Sequence, residues 1–381
     1  VINRPNTGIF YWAGNTAVKF KRFPFLSYSA FSMLAYKNYI VLLGPYINGS
    51  RNPRKVAWSS AAEVGSLPTS FTASSTNDAG DVELGQTDGD LVGGLEFNDV
   101  AYLYTQDARY AMRYIGGNDV FSFTKTGSEG LFSRYSIANT PIGQVFLTAD
   151  LDVHIHQGGA SKSIADGVIK NHIRSIMYAG SSSKGTYMAT NPRKKEIWLV
   201  VWTDATGRTA ILSWNWETGK WGIFTVPTGE AYFAANGTIF TVGGTTREED
   251  VLLVSNGSSV GAAGGLPSGT EVGTWFGTSL TGTLERTGLH FDDRDITKSI
   301  QRSRWNIDGT ATNTASIYHG ASMYADTAPT YQTAATYTIG TTDYVNARST
   351  MGRFGAIKLT TTAYPFRIRS VDLDVTTGGK R

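Results

Sequence analysis

The sequence predicts an all-β protein and, within that class, a β-propeller of about six or seven blades. Three observations carry this. Aromatic and β-branched runs of about four to eight residues recur along the chain, as short strands do. Turn signals rich in Gly, Asn and Asp separate them. The resulting hairpins group into units of roughly 40 to 55 residues, the period of propeller blades, and 381 residues hold six or seven of these. A two-sheet sandwich also shows short strands, but it rarely needs so many hairpins in one domain.

In chain order, the strands read most clearly at Tyr39 to Leu43, Val100 to Tyr104, Tyr110 to Ile115, Val145 to Leu147, Ile197 to Trp202 and Ala210 to Trp214. Turns are expected at Asn48-Gly49, Asp88-Gly89, Asn98-Asp99, Gly116-Gly117, Asp204 to Gly207, Glu217 to Lys220 and Asn236-Gly237. Ser163 to Tyr178 breaks the pattern: Ile164, Val168, Ile169, Ile173, Ile176 and Met177 fall near helical spacing, and Ser163 with Asp166 resembles a capping box. Thr310 to Thr342, rich in Thr, Ala, Ser and Gly, is expected to form loops or an exposed edge blade. From Phe366 to Val375 apolar and charged residues alternate, with one slip near Ser370 that reads as a bulge. A terminal strand there is expected to pair with the N-terminal third and close the ring. Residues 1–30 are then a segment contributing to closure, and 31–381 the propeller, with a short helical interruption near 163–178.

The chain has 34 Lys and Arg against 31 Asp and Glu, a formal charge of +3, and no Cys. Disulfide, zinc-thiolate and cysteine-nucleophile chemistry are excluded. So weak a charge does not suit a dedicated nucleic-acid binder, which must displace many phosphate counterions. The opening Val1-Ile2-Asn3-Arg4-Pro5 has no charged region leading into an apolar one, so a secretory signal is expected to be absent or removed. No apolar run approaches the roughly 20 residues of a bilayer span, so a soluble protein is expected.

The motifs that carry chemistry elsewhere are weak here. Gly257-Ser258-Ser259-Val260-Gly261 matches a nucleophile elbow, but a chain this rich in glycine delivers about 0.4 such matches by chance, and the glycine-rich sequence that follows cannot continue as the required helix. His154 and His156 share a strand face with Asp152, a partial ligand set for a metal, which more simply reads as a polar strand face. The acidic clusters Asp78 to Asp90 and Asp292 to Asp295 lack the phased oxygens of a calcium loop. Trp214-Asn215-Trp216-Glu217-Thr218-Gly219-Lys220-Trp221 reads as a turn with core tryptophans rather than a sugar platform. Lys19 to Arg22, Arg51 to Lys55 and Arg193 to Lys195 are short, separated basic groups. No catalytic, cofactor-binding or metal-ligating residue is assigned.

The order of segments is more telling than any motif. Phe31 to Leu42, Asn52-Pro53-Arg54-Lys55-Val56-Ala57-Trp58-Ser59, Asn77-Asp78-Ala79-Gly80, Leu91-Val92-Gly93-Gly94-Leu95 and Tyr110 to Gly117, with Gly352-Arg353-Phe354 and Leu373-Asp374-Val375 near the end, resemble the propeller of short-tailed phage tail nozzle or hub proteins, called tail tubular protein B in one lineage. The resemblance runs from about residue 8 to 375. It implies a structural, non-enzymatic virion protein made in the host cytoplasm, a hexameric ring beneath a dodecameric adaptor, attached fibres or spikes, and transient passage of double-stranded DNA, with no cofactor and no membrane span. A near-neutral conduit suits that role, because each neutralised phosphate would slow the DNA. Subunit contacts are expected on projecting loops, with Arg51, Arg54, Lys55, Asp78, Asp81 and Asp88 as candidates. The rival classes are a secreted propeller glycan hydrolase or lectin, expected as one or two copies, and a receptor-binding tail fibre module, expected as a trimer.

Overall fold

Among the described residues strands make up 56% and helix 4%, so the protein is all-β. The computed structural model describes residues 1–14, 17–23, 28–63, 65–85, 89–165, 167–177, 186–203, 210–226, 233–239, 249–255, 259–262, 274–275, 278–346, 349–363 and 366–380. The chain divides into two compact units, Val1–Ala263 and Gly264–Arg381. That division falls inside the 31–381 stretch which the sequence reading treats as one body.

The first unit is a series of antiparallel meanders in chain order. A three-stranded sheet (Ile2–Arg4, Gly8–Tyr11, Lys21–Arg22) comes first. The next sheet comprises Tyr28–Tyr36, Tyr39–Ile47, Lys55–Trp58 and Gly80–Glu83, with the short Ser50–Arg51 strand folded back on Tyr39–Ile47. Then follow Leu91–Phe97, Val100–Thr105, Arg109–Tyr114 and Phe121–Gly127; Ile137–Thr140, Gly143–Leu147, Val153–His156 and Lys162–Ser163; and Tyr187–Asn191, Glu196–Val201, Ala210–Asn215 and Trp221–Thr225. Phe233–Ile239, Glu249–Ser255 and Val260–Ala262 make the last sheet.

Local sequence explains the hairpins. Asn98 and Asp99 both take positive φ, 48° and 65°, the conformation of a two-residue type I′ turn, and so join Phe97 directly to its partner Val100. Asn48 and Gly49 do the same. Asn236-Gly237 does not: both residues lie inside the Phe233–Ile239 strand, opposite Leu252 and Val251. Ladder pairing along a whole strand outweighs a local turn preference there.

Strand alternation distributes the core. Along Val100–Thr105, Ala101 and Leu103 face the preceding sheet, packing with Val41, Leu43, Val56 and Trp58. Tyr102 and Tyr104 face the following sheet, packing with Ile137 and Phe146. The next interface joins Val145, Leu147 and Val153 to Met188, Leu199 and Leu212. The N-terminal sheet joins the series through Ile9 and Phe23 against Ala30, Leu42 and Ala57. Consecutive sheets thus share cores face to face, and central strands are apolar on both sides rather than on one. From the Tyr28 strand onward, the first strand of each sheet also lies beside the first strand of the next.

The expected helix is present as Gly167–Ile176, with Ile173 fully buried in the core between the third and fourth four-stranded meanders. Of its expected capping box, Asp166 lies outside the described residues, and Ser163 belongs to the Lys162–Ser163 strand, where its hydroxyl donates to Asp152 Oδ1 and Ala165 O, both at 2.9 Å. Among the described residues no helix is long and apolar enough to cross a membrane.

The second unit abandons the meander. Its larger sheet runs Gly282–Leu289, Phe354–Thr361, Thr314–Ser322, Thr330–Tyr331, with Ala335–Thr338 also on Thr314–Ser322. Its smaller sheet runs Val345–Asn346, Ile296–Gly309, Phe366–Lys380. Both contribute to one core, Ile300, Trp305 and Ile307 meeting Ile317, Ile357 and Leu359. Two expectations are corrected. The Thr-rich stretch is loop and edge only in part, for Thr330–Tyr331 and Ala335–Thr338 lie at the edge of the sheet but Thr314–Ser322 is an interior strand with Ile317 and His319 fully buried. β-Branched Thr suits a pleated surface as well as it suits a loop. The C-terminal strand pairs with Ile296–Gly309 of its own unit, not with the N-terminal third. The slip near Ser370 is a bulge: Asn306 pairs with Ser370 and Ile307 with Ile368, leaving Arg369 extra.

Candidate subunit-contact surface

The six candidate contact residues fall on the sheet that begins at Tyr28 or on the chain leading out of it. Antiparallel pairing sets Lys55 opposite Glu83 and Ala57 opposite Asp81. Lys55 and Asp81 therefore share a face and meet diagonally, at 2.6 Å, while Arg54 reaches Glu83 at 3.3 Å. Arg51 lies over the Phe31 ring at 4.2 Å, pairs with Asp90 at 3.1 Å and donates to Leu91 O at 2.9 Å, which ties this sheet to the start of the next. The three cations are thus matched by three carboxylates of the same chain.

Asp78 is different in kind. Its carboxylate accepts from the Tyr39 hydroxyl at 2.6 Å and the Ala61 N–H at 3.1 Å, and its carbonyl accepts from Trp58 Nε1 at 2.9 Å. Burial pushes the Asp78 carboxyl up, but the hydrogen bonds from Tyr39, Ala61 and its own backbone outweigh this and hold it below the usual range. Tyr39 is pushed up in turn, by burial first and then by the same carboxylate. Asp88 lies outside the described residues.

Between the second and third four-stranded meanders lies a buried polar network that sequence reasoning missed. Gly158 N–H donates to His156 Nδ1 at 3.0 Å, which fixes the neutral ring's proton on Nε2. Nε2–H then donates to the Tyr104 hydroxyl at 2.7 Å, and that hydroxyl donates to Gln144 Oε1 at 2.8 Å. Gln144 Nε2 continues to Asn139 Oδ1 at 2.8 Å. Burial, reinforced by the charge of Arg109, pushes His156 down to about 3. Arg109, fully buried, donates to Gly159 O at 2.6 Å and to Thr126 Oγ1 and O at 3.3 Å. With both ring nitrogens engaged in hydrogen bonds, His156 ties the two meanders together. The only sequence signal was a set of polar residues at inward positions of apolar strands.

His154 is set apart from it. Its Nδ1 lies 2.9 Å from Ser161 Oγ and its Nε2 3.6 Å from Asp152 Oδ2. Asp152, 8% exposed, already holds Lys170 Nζ at 2.9 Å and the Ser163 hydroxyl. This hydroxyl–imidazole–carboxylate line is broken at its longer step, beyond hydrogen-bond reach, and its carboxylate is committed to docking the helix. Among the described residues no group of three His, Asp or Glu is placed to hold a metal ion.

The remaining motifs resolve locally. Ser259 is exposed and leads into the Val260–Ala262 strand, where a nucleophile elbow needs a helix. Asn215 Oδ1 accepts from the N–H groups of Glu217 and Thr218, an Asx turn, and Trp214 and Trp221 pair across the strands it joins at 6.4 Å between ring centres. Asp293 Oδ1 accepts from Asp295 N–H at 2.8 Å, closing its acidic loop on itself.

No family model matches the chain, and no curated protein matches its sequence. Among solved structures it is similar to a chain titled glycoside hydrolase, at 13% identity over 90% of this chain and 83% of that one, with a TM-score of 0.26. A score that low supports no conclusion about fold or activity.

Proposed function

We propose that this chain is a structural subunit of a short-tailed phage tail, the nozzle or hub that continues the DNA exit channel below the adaptor. In this reading Val1–Ala263 is the propeller, its six described sheets serving as blades, and Gly264–Arg381 is an appended β module. About six copies form the ring, with the adaptor above and fibres or spikes at its side.

The observation that carries the reading is the architecture of the first unit. Meanders in chain order, stacked through shared cores with their first strands side by side, are what a propeller requires. The charge pattern supports it as well. Arg51, Arg54 and Lys55 have carboxylate partners, so they do not offer DNA a run of bare cations, and a conduit must release its cargo. The test is a reconstruction of the tail particle containing this chain. Six copies around the DNA axis are expected. Three copies, or a position away from the axis, would refute the nozzle and favour a fibre.

A further inference from the structure

The longest strand among the described residues has one open side. Phe366–Lys380, 15 residues long, ends the smaller sheet of the second unit, and among the described residues only Ile296–Gly309 pairs with it. Backbone N–H and C=O groups along its outer edge therefore have no strand partner there, and such a row is a template for a further strand. The inward residues Phe366, Ile368, Val371 and Leu373 pack against the core of that unit but stay half-buried. A strand laid beside them would complete their cover.

The outward face carries charge. Arg369 pairs with Asp308 at 2.6 Å, and Asp374 pairs with Arg302, both across the Ile296–Gly309 ladder. Arg367 and Asp372 are exposed on the same face and form no ion pair among the described residues. The ladder sets them opposite Asp308 and Arg304, but Asp308 holds Arg369 instead, and Arg304 makes no ion pair with Asp372. Five positions apart on a regular strand, Arg367 and Asp372 would point to opposite faces. The bulge that leaves Arg369 extra brings both to the outward face.

We propose that Phe366 to Leu373 pairs antiparallel with the same segment of a second copy, about a two-fold axis through the two bulges. In this register Phe366 lies beside the partner's Leu373, Arg367 beside the partner's Asp372, Ile368 beside the partner's Val371 and Arg369 beside the partner's Ser370. Every apolar residue meets an apolar one, and the two charges without an ion pair in their own chain meet their opposites, contacts of the kind that stabilise paired strands. Slipping the register by one residue either way would set outward Arg367 against inward Val371 or Leu373. The segment is thus complementary to itself read backwards, which selects a second copy over an unrelated strand. The contact does not rest on the ring reading. A two-fold contact closes on itself, and neighbours in a polar six-fold ring are not related by one, so the pair is the form of the free chain.

The test is sedimentation of the full chain between about 1 and 100 μM, where wild type is expected to dimerise. Arg367→Asp and Asp372→Arg each set like charges opposite one another twice per pair, so each is expected to weaken dimerisation by about tenfold or more. Mixed in equal amounts, the two variants are expected to dimerise again, because a pair with one chain of each kind has every charge opposite its counterpart. The double variant is expected to behave like wild type for the same reason. Variants weakened merely by a damaged fold would not rescue one another. Amide hydrogen exchange on wild type reads the contact without any variant, and decides should one fail to fold: residues 366–373 are expected to gain protection as concentration rises. Wild-type chain that stays monomeric to about 100 μM, single variants that dimerise like wild type, or a mixture that stays monomeric overturns the proposal. So does a wild-type dimer whose residues 366–373 exchange as they do in the monomer.

Discussion

Asp78→Ala separates a residue that holds the fold from one that serves a neighbour. The substitution removes two hydrogen bonds to a carboxylate, from the Tyr39 hydroxyl and the Ala61 N–H. It also strands the hydroxyl of Tyr39, a residue only 6% exposed. At about 1 kcal/mol for each bond in this half-buried site, the loss is about 2 kcal/mol. For a body of this size that lowers Tm by about 4 to 8 °C. Asp81→Ala is the control: its pair with Lys55 joins side chains 47% and 28% exposed and is worth less than about 1 kcal/mol. The assay is thermal unfolding of the full chain across pH. Asp78 is held below its ordinary range in the folded chain, so its contribution is present above about pH 4 and is lost as pH falls through the folded value. The gap between wild type and Asp78→Ala should therefore close on acidification. A variant melting like wild type, or a gap that widens in acid, would refute the reasoning. Unchanged melting with lost assembly would make Asp78 a subunit contact after all.

Three further outcomes are expected. Gly130→Ala should destabilise by about 2 kcal/mol or more, because its Cβ would lie 1.9 Å from Gln106 O, and Gly159→Ala, with open space at that position, should be nearly silent in the same denaturant titration. Lys170→Met should cost about 1 kcal/mol by unpairing Asp150 and Asp152. Hydrogen bonds to both carboxylates raise Lys170, and Asp150 is lowered because Lys170 and Thr148 outweigh burial. The difference from wild type should then be full between about pH 4 and 10 and fade as pH falls through the Asp150 value or rises through the Lys170 value. Deleting the chain from Phe366 should expose Trp305 and Ile307 and leave Ile296–Gly309 an open edge, so a soluble product of unchanged melting temperature would contradict the pairing described.

What was legible in the sequence was what is local. Phe97-Asn98-Asp99-Val100 announces its hairpin because both turn residues tolerate positive φ and both flanks are strands. The helix at Gly167–Ile176 was visible from the spacing of its isoleucines. Pairing between distant segments was not. Nothing in Phe366 to Val375 says whether its partner is the N-terminal third or Ile296–Gly309, since alternation specifies a face and not a neighbour. The charges of Arg51, Arg54 and Lys55 were plain, but that each had a carboxylate within the chain was not. His156 and Arg109 were hidden for the opposite reason, because a buried polar network leaves single polar letters in apolar strands.

The different wiring of the two units has a consequence for how the chain is made. In Val1–Ala263 each sheet closes from strands adjacent in sequence, Phe97 onto Val100 for instance, so every sheet can zip as soon as its own residues leave the ribosome, and little loop entropy is lost at each step. In Gly264–Arg381 the long ladder joins Arg302 to Asp374, 72 positions apart, and Ile296–Gly309 has only the two-residue Val345–Asn346 strand beside it until Phe366–Lys380 is synthesised. That waiting strand, with Ile300, Trp305 and Ile307 uncovered, is the stretch a chaperone would be expected to guard during translation, and a stall between Asn346 and Phe366 is where this protein would be most exposed to aggregation.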